Sequence, residues 1–261
     1  MLRKLLNFLF FAIAFVCLGT PSVAQDEKEN YIGFKGGVSI PQLSGSNNNE
    51  LSRDYKSRVA PNFGVFVEFG INKKTSVQFE VDYAGQGGKR IGIQPVTQTI
   101  PGLPALPNGA YYYADFKNVA KLNYLEIPVM AKYRFRSQNK PRPYLTGGAY
   151  YGLLLSAKTV TSGNSILYLD RDGRVPVLIP PANTPLPAIP FNATTNIKDE
   201  VKRNNFGITG GGGLEIPHRK NYFLIDLRVS YGLMTIQKDA ANGNNKTGNI
   251  VLSFGYAFNF K

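Results

Sequence analysis

Glu80 and Asp82 stand two residues apart, so on an extended strand their carboxyls share one face. Such closeness can split two pKa values for acid and base work. Lys and Arg on neighbouring strands would account for the same pair as structural ions. His218 is the single histidine and sits in the turn-like Pro217-His218-Arg219-Lys220. One imidazole cannot build a histidine-rich metal site, and the sequence offers no second one to serve as base in a serine hydrolase. Its plain reading is an exposed turn residue. The run Gly210-Gly211-Gly212-Gly213 has the composition of a phosphate cradle, which requires a helix N-terminus next. Leu214-Glu215-Ile216-Pro217 follows instead, ending a strand, so these glycines read as room for close packing or curvature. The expectation is no enzyme, no catalytic residue, no cofactor and no metal.

The other ionisable residues form a pattern. Lys35, Glu68, Glu80, Asp82, Glu126, Lys132, Arg134, Glu215, Asp226 and Arg228 fall on alternate positions within apolar stretches. Groups of both signs so placed can pair across a narrow enclosed space. An eight-stranded barrel is just wide enough for side chains to fill it. Gly64, Gly207, Gly211 and Gly255 share that face and leave room. Mixed charges in a small barrel are structural pairs in the first reading and an ion path in the second.

The elements that must position them are strands. From Tyr31 onward the apolar period is close to two. Phe63, Val65, Val67, Phe69 and Ile71 alternate with Gly64, Phe66, Glu68 and Gly70. Val77, Phe79, Val81 and Tyr83 repeat the pattern, as do Phe223, Ile225, Leu227, Val229 and Tyr231. Segments 31–40, 120–135, 143–157, 203–216 and 247–260 complete a set of eight. Two of these read less cleanly: Pro128 removes a ladder donor, and the apolar run Leu153 to Leu155 blurs the period.

Several strands approach the roughly 9–11 residues that cross a bilayer at a tilt. The connections alternate short and long, the order of a membrane barrel. Asn72-Lys73-Lys74, 136–142 and 217–220 are short; 41–60, 85–119, 158–202 and 233–246 are long. The sequence therefore predicts an all-β, eight-stranded antiparallel transmembrane β-barrel, an up-and-down meander with short periplasmic turns and long extracellular loops. Two of those loops are rich in proline, including Pro176, Pro180, Pro181, Pro185, Pro187 and Pro190. A soluble barrel remains the alternative, and the choice turns on which way the apolar face points. Tyr83, Tyr133, Phe135, Tyr222, Phe223 and Tyr231 lie near strand ends, where aromatic girdles would form.

Residues 1–24 read as a signal peptide, with Arg3 and Lys4 before the apolar stretch Leu5 to Leu18 and small residues at Ser22-Val23-Ala24. The stretch is shorter than the roughly 20 residues of a spanning helix. A lipidated Cys17 is the rival reading, but Phe15 and Val16 stand where lipoprotein signals carry small residues. Cleavage removes the only cysteine and leaves 25–261 as one barrel domain. The formal charge of +13 comes from scattered cations, without a basic helix or aromatic platform, which argues against nucleic acid and for a polyanionic membrane surface.

Gly33-Phe34-Lys35-Gly36-Gly37-Val38, the stretch Leu122-Asn123-Tyr124-Leu125-Glu126-Ile127-Pro128 ahead of Lys132-Tyr133-Arg134-Phe135, and Pro143-Tyr144-Leu145 with Gly147, Gly148 and Gly152 carry a resemblance. With the aromatic C-terminal strand, they make the chain similar to the PorT-like outer-membrane β-barrel proteins of Bacteroidota. The resemblance implies an integral outer-membrane barrel with no established enzymatic activity for most members. It also implies a link to protein secretion, since the name-giving member is associated with type IX secretion. The strand motifs report the barrel and not the loops where partners would bind, and Lys261 departs from the usual terminal aromatic residue.

The expected function is a structural or binding scaffold with a side-chain-filled lumen and recognition through loops 85–119 and 158–202. Outer-membrane lipid and lipopolysaccharide are the expected surroundings, with a protein partner at the loops. Tyr111, Tyr112 and Tyr113 are the candidate contacts, or else a girdle at the top of a strand. The alternative function is a small pore or transporter, which needs an open lumen.

Overall fold

Eight strands close into one antiparallel ring in the computed structural model, which describes residues 28–45, 49–107, 109–135, 140–181 and 183–260. The expected signal peptide, with Cys17, lies outside the described residues. The strands are β1 (Asn30–Ser44), β2 (Ala60–Gly70), β3 (Thr75–Val96), β4 (Tyr112–Arg134), β5 (Arg142–Ser162), β6 (Asn204–His218), β7 (Asn221–Gly232) and β8 (Lys246–Phe260). Each pairs with its sequence neighbour, and β8 returns to β1 with Phe260 opposite Asn30 and Lys246 opposite Ser44. Closure satisfies every strand edge internally, which hydrocarbon surroundings demand.

The apolar face points outward. On β7, Phe223, Ile225, Leu227, Val229 and Tyr231 are 36–54% exposed, while Tyr222, Leu224, Asp226 and Arg228 between them are buried. On β1, Ile32, Phe34, Val38 and Ile40 are exposed and Tyr31, Lys35 and Ser39 are buried. Placed in water, this arrangement would forfeit the transfer free energy of each exposed side chain, about 1.5–3 kcal/mol apiece. Lipid is the solvent that it fits, and the soluble-barrel alternative falls.

Three strands outrun the membrane. β3, β4 and β5 are 22, 23 and 21 residues long, about twice what a tilted crossing needs. Much of 85–119, expected as loop, is paired strand: the ladder runs from Gly85 opposite Asn123 to Val96 opposite Tyr112. Beyond the lipid the outer face can be polar, so apolar alternation stops while backbone pairing continues. Within 158–202, β5 continues to Ser162 and a short strand, Ala193–Asn196, pairs back onto it.

The two irregular segments have local causes. β4 and β5 shift register between Asn123, opposite Ser156, and Tyr124, opposite Leu154, leaving Leu155 as a bulged residue. Leu154 and Ala157 are buried and Leu155 is exposed, so the bulge resets the phase and produces the unbroken apolar run. Beside Pro128 the β3–β4 ladder lapses between Phe79–Val129 and Asp82–Glu126. On the periplasmic side, Asn72 caps one turn by accepting from Lys74 N and Thr75 N, each at 2.8 Å, and Arg219 turns another at φ 59°.

Candidate functional site

The interior is built in layers from the periplasmic end upward. In the basal layer, Lys132 Nζ lies 2.7 Å from Glu68 Oε2 and 3.2 Å from Glu215 Oε1. Arg134 pairs with both carboxylates, Arg142 reaches Glu215 at 3.0 Å, and Tyr222 donates to Glu68 at 3.0 Å. Lys132 also sits 4.7 Å from the centre of the Tyr144 ring. Five strands contribute to this cluster, so each ion pair ties distant parts of the wall together.

In the upper layer, Lys35 pairs with Glu80 and, at 3.0 Å, with Asp82. Arg228 bridges Glu80 at 2.6 Å and Asp226 at 3.1 Å, and Tyr144 donates to Asp226 at 2.7 Å. Glu126 accepts from Gln86 at 2.9 Å. The structure thus places all ten sequence-selected charges in the lumen, none more than 7% exposed. Glu80 and Asp82 face cations rather than a substrate space. The cavity beside them holds about 20 Å³, room for about one water molecule.

Sequence reasoning missed three members of this network. Arg142 was assigned to a turn, yet it is the first residue of β5, in phase with the buried Tyr144 and Thr146. That phase was the available signal. Tyr222 was expected in an aromatic girdle and is instead fully buried in the lumen, edge-on to Tyr31 at 4.7 Å. Its neighbour Phe223 takes the outward position.

Above the charges lies an apolar plug formed by Leu43, Ala120, Leu122, Tyr124, Leu154, Ala157, Val201 and Ile236. Above the plug, the extended strands enclose a chamber of about 700 Å³. Leu43, Leu122, Val201 and Ile236 line its base, and Gln94, Asn118, Thr159, Thr161, Thr195, Gln237 and Asn245 supply amide and hydroxyl groups. Tyr55 and Arg90 also line it; burial pushes the Tyr55 phenol up, against the opposing pull of Arg90, and keeps it neutral. The volume falls within the range of about 300–1,000 Å³ typical of ligand sites. This chamber was not legible as a site because its walls had been read as loop.

A second apolar cluster, with Val96, Ala114, Phe116, Leu167, Val177 and Phe191, holds the tips together, and Phe116 stacks on Phe191 at 4.7 Å. Tyr111, Tyr112 and Tyr113 sit at this tip and are half-buried rather than exposed. The Tyr112 hydroxyl donates to the Pro104 carbonyl at 3.1 Å, and Tyr113 pairs through its backbone with Tyr168 at 2.8 and 2.9 Å. Nine residues of strand, about 30 Å, separate Tyr112 from Lys121, so these rings are not a girdle.

A closed ring with lipid-compatible exterior, ionic interior and extended outer strands defines an integral outer-membrane β-barrel. The chain belongs to the outer membrane protein β-barrel domain family, whose model matches residues 23–238. Among solved structures it is similar to Ail, the attachment invasion locus protein of Yersinia pestis, with 15% identity, 88% of this chain and 99% of that chain covered, and a TM-score of 0.39. It is similar to OprG of Pseudomonas aeruginosa at 15% identity, covering 90% and 99%, TM-score 0.38. The outer membrane protease OmpT of Escherichia coli matches at 11% identity, covering 93% and 100%, TM-score 0.40. No curated protein matches the chain.

Proposed function

We propose that this protein is a non-conducting, non-catalytic binding scaffold that presents an extracellular chamber and its surrounding loops at the cell surface. One observation carries this reading: two ionic layers and an apolar plug fill the lumen beneath a chamber of about 700 Å³. A transporter needs continuity between those spaces. A recognition protein needs only the upper one, held on a rigid support.

In this reading residues 1–24 are a cleaved signal peptide, and N-terminal sequencing of the membrane-extracted protein starts at Gln25. The partner meets the protein from outside the cell. A photocrosslinking side chain at Thr161, in the chamber wall, should give a discrete adduct in the native membrane, whereas one at the lipid-facing Phe254 should not. In planar bilayers the purified protein should show no steady conductance. Reproducible single-channel steps would replace the scaffold with the pore, and identical adduct patterns at the two positions would remove the chamber from recognition.

A further inference from the structure

The outer wall of β3, β4 and β5 changes character in ordered rungs. Leu125 opposite Leu153 is apolar; the next rung outward is Asn123 opposite Ser156, joined by a hydrogen bond of 2.9 Å. The rung after that is Lys121 opposite Lys158. Successive rungs on one face are about 7 Å apart along the strand. The lysine rung therefore stands just beyond the apolar belt, at the depth of the outer-leaflet headgroups.

The cations continue above it. Lys89 is opposite Val119, Lys117 is opposite Ser162, and Arg58 is fixed beside them by donating to the Gln86 carbonyl at 2.7 Å. Arg58, Lys89, Lys117 and Lys121 line one shallow groove of about 420 Å³ together with Val59 and Val119. Like charges directly opposite on paired strands are destabilising. Among the described residues none of these five cations has a carboxylate within 4.0 Å. Asp115, one rung beyond Lys117, is the acidic residue on the same face of β4. The lumen shows how closely this chain pairs its charges where pairing is the purpose. On the outer wall the same chain leaves cations facing one another, which fits an anion supplied from outside.

We propose that Arg58, Lys89, Lys117, Lys121 and Lys158 form a phosphate-binding platform for the phosphorylated glycolipid of the outer leaflet. The exposed valines between the lysines accept the apolar part of that lipid, and the lysines neutralise its phosphates. Val59, at 72% exposure, is the most open of these apolar contacts. The platform depends only on the chain's placement in the outer membrane and stands whether or not the chamber takes a ligand.

Binding of diphosphorylated lipid A to the folded protein in detergent micelles tests this, with dephosphorylated lipid A and inorganic phosphate as the other probes. The variant K117Q/K121Q/K158Q should bind diphosphorylated lipid A more weakly by about fivefold per lysine removed. The triple arginine variant should bind as the parent does, and dephosphorylated lipid A should bind the parent and the glutamine variant alike. Single variants Lys121→Gln and Lys158→Gln give the same reading should the triple variant not refold. Equal affinity of parent and glutamine variants for diphosphorylated lipid A overturns the platform. Displacement of the lipid by millimolar inorganic phosphate overturns the lipid assignment and leaves a site for soluble anions.

Discussion

Lys35 on β1 and Asp82 on β3 pair at 3.0 Å across the width of β2, and the residue lying in register between them is Gly64. A Cβ at Gly64 would collide with Asp82 Oδ1 and the Val81 carbonyl. The missing side chain is what lets an ion pair pass over an intervening strand. Gly64→Ala should therefore cost about 1–3 kcal/mol, the usual penalty of overpacking a filled interior. Denaturant unfolding in phospholipid vesicles measures it; an unchanged midpoint would mean that the pair does not depend on this gap.

The basal layer makes a second prediction. Arg134 meets Glu215 through two hydrogen bonds, Nε to Oε2 at 2.8 Å and NH2 to Oε1 at 3.0 Å, across the lumen from β4 to β6. Removing one partner leaves a buried charge uncompensated, and such changes cost about 3–5 kcal/mol. Arg134→Met and Glu215→Gln should each show a loss of that order. Because the two residues share partners, the double variant should lose less than the sum of the singles, by about 0.5–3 kcal/mol. Strict additivity would show that the pair is not a unit.

The barrel was legible because lipid and lumen impose opposite chemistries on alternate residues, so the ten luminal charges could be read by phase alone. That signal fails wherever one of the two environments changes. Beyond the bilayer, Lys89, Lys117 and Lys121 take outward positions that lipid would reserve for apolar side chains, and the paired strands there looked like loop. At Leu155 a bulge reverses the phase. At Tyr222 the residue type misled, since tyrosine suits a headgroup interface and a buried donor to Glu68 equally well. The chamber needed the strand extensions first, so nothing short of the fold revealed it.

The loop turn at Asp170 gives a pH prediction. Its carboxylate accepts from Val175 N at 2.6 Å and from Arg174 N at 3.0 Å, and these amides, Val175 foremost, hold its pKa below the ordinary value. The folded loop thus favours the charged form. The turn's stabilisation is fully present above the unfolded pKa, about 3.9 for aspartate, and is lost as pH falls through the lower folded value. Hydrogen exchange at the Arg174 and Val175 amides should be slow at neutral pH and accelerate only in that acidic window. In Asp170→Ala these amides should exchange fast at every pH, corrected for intrinsic rates; protection that survives the substitution would assign their order to the neighbouring apolar cluster.

Leu227 separates Asp226 from Arg228 on β7, and its 53% exposure against their near-complete burial places it on the lipid face near the middle of the strand. The direction in which a side chain points, rather than its type, then decides what a charge costs. Leu227→Arg should destabilise the barrel in vesicles by about 2–4 kcal/mol, the midplane penalty, whereas Arg228 one residue on is retained because Glu80 and Asp226 hold it. The same substitution at Leu233, equally exposed but beyond the end of β7, should cost at most about 1 kcal/mol. In short-chain detergent, which lets water reach the barrel wall more readily, the difference between the two sites should shrink. Equal costs at 227 and 233 in vesicles would mean that the belt is not bounded where β7 ends.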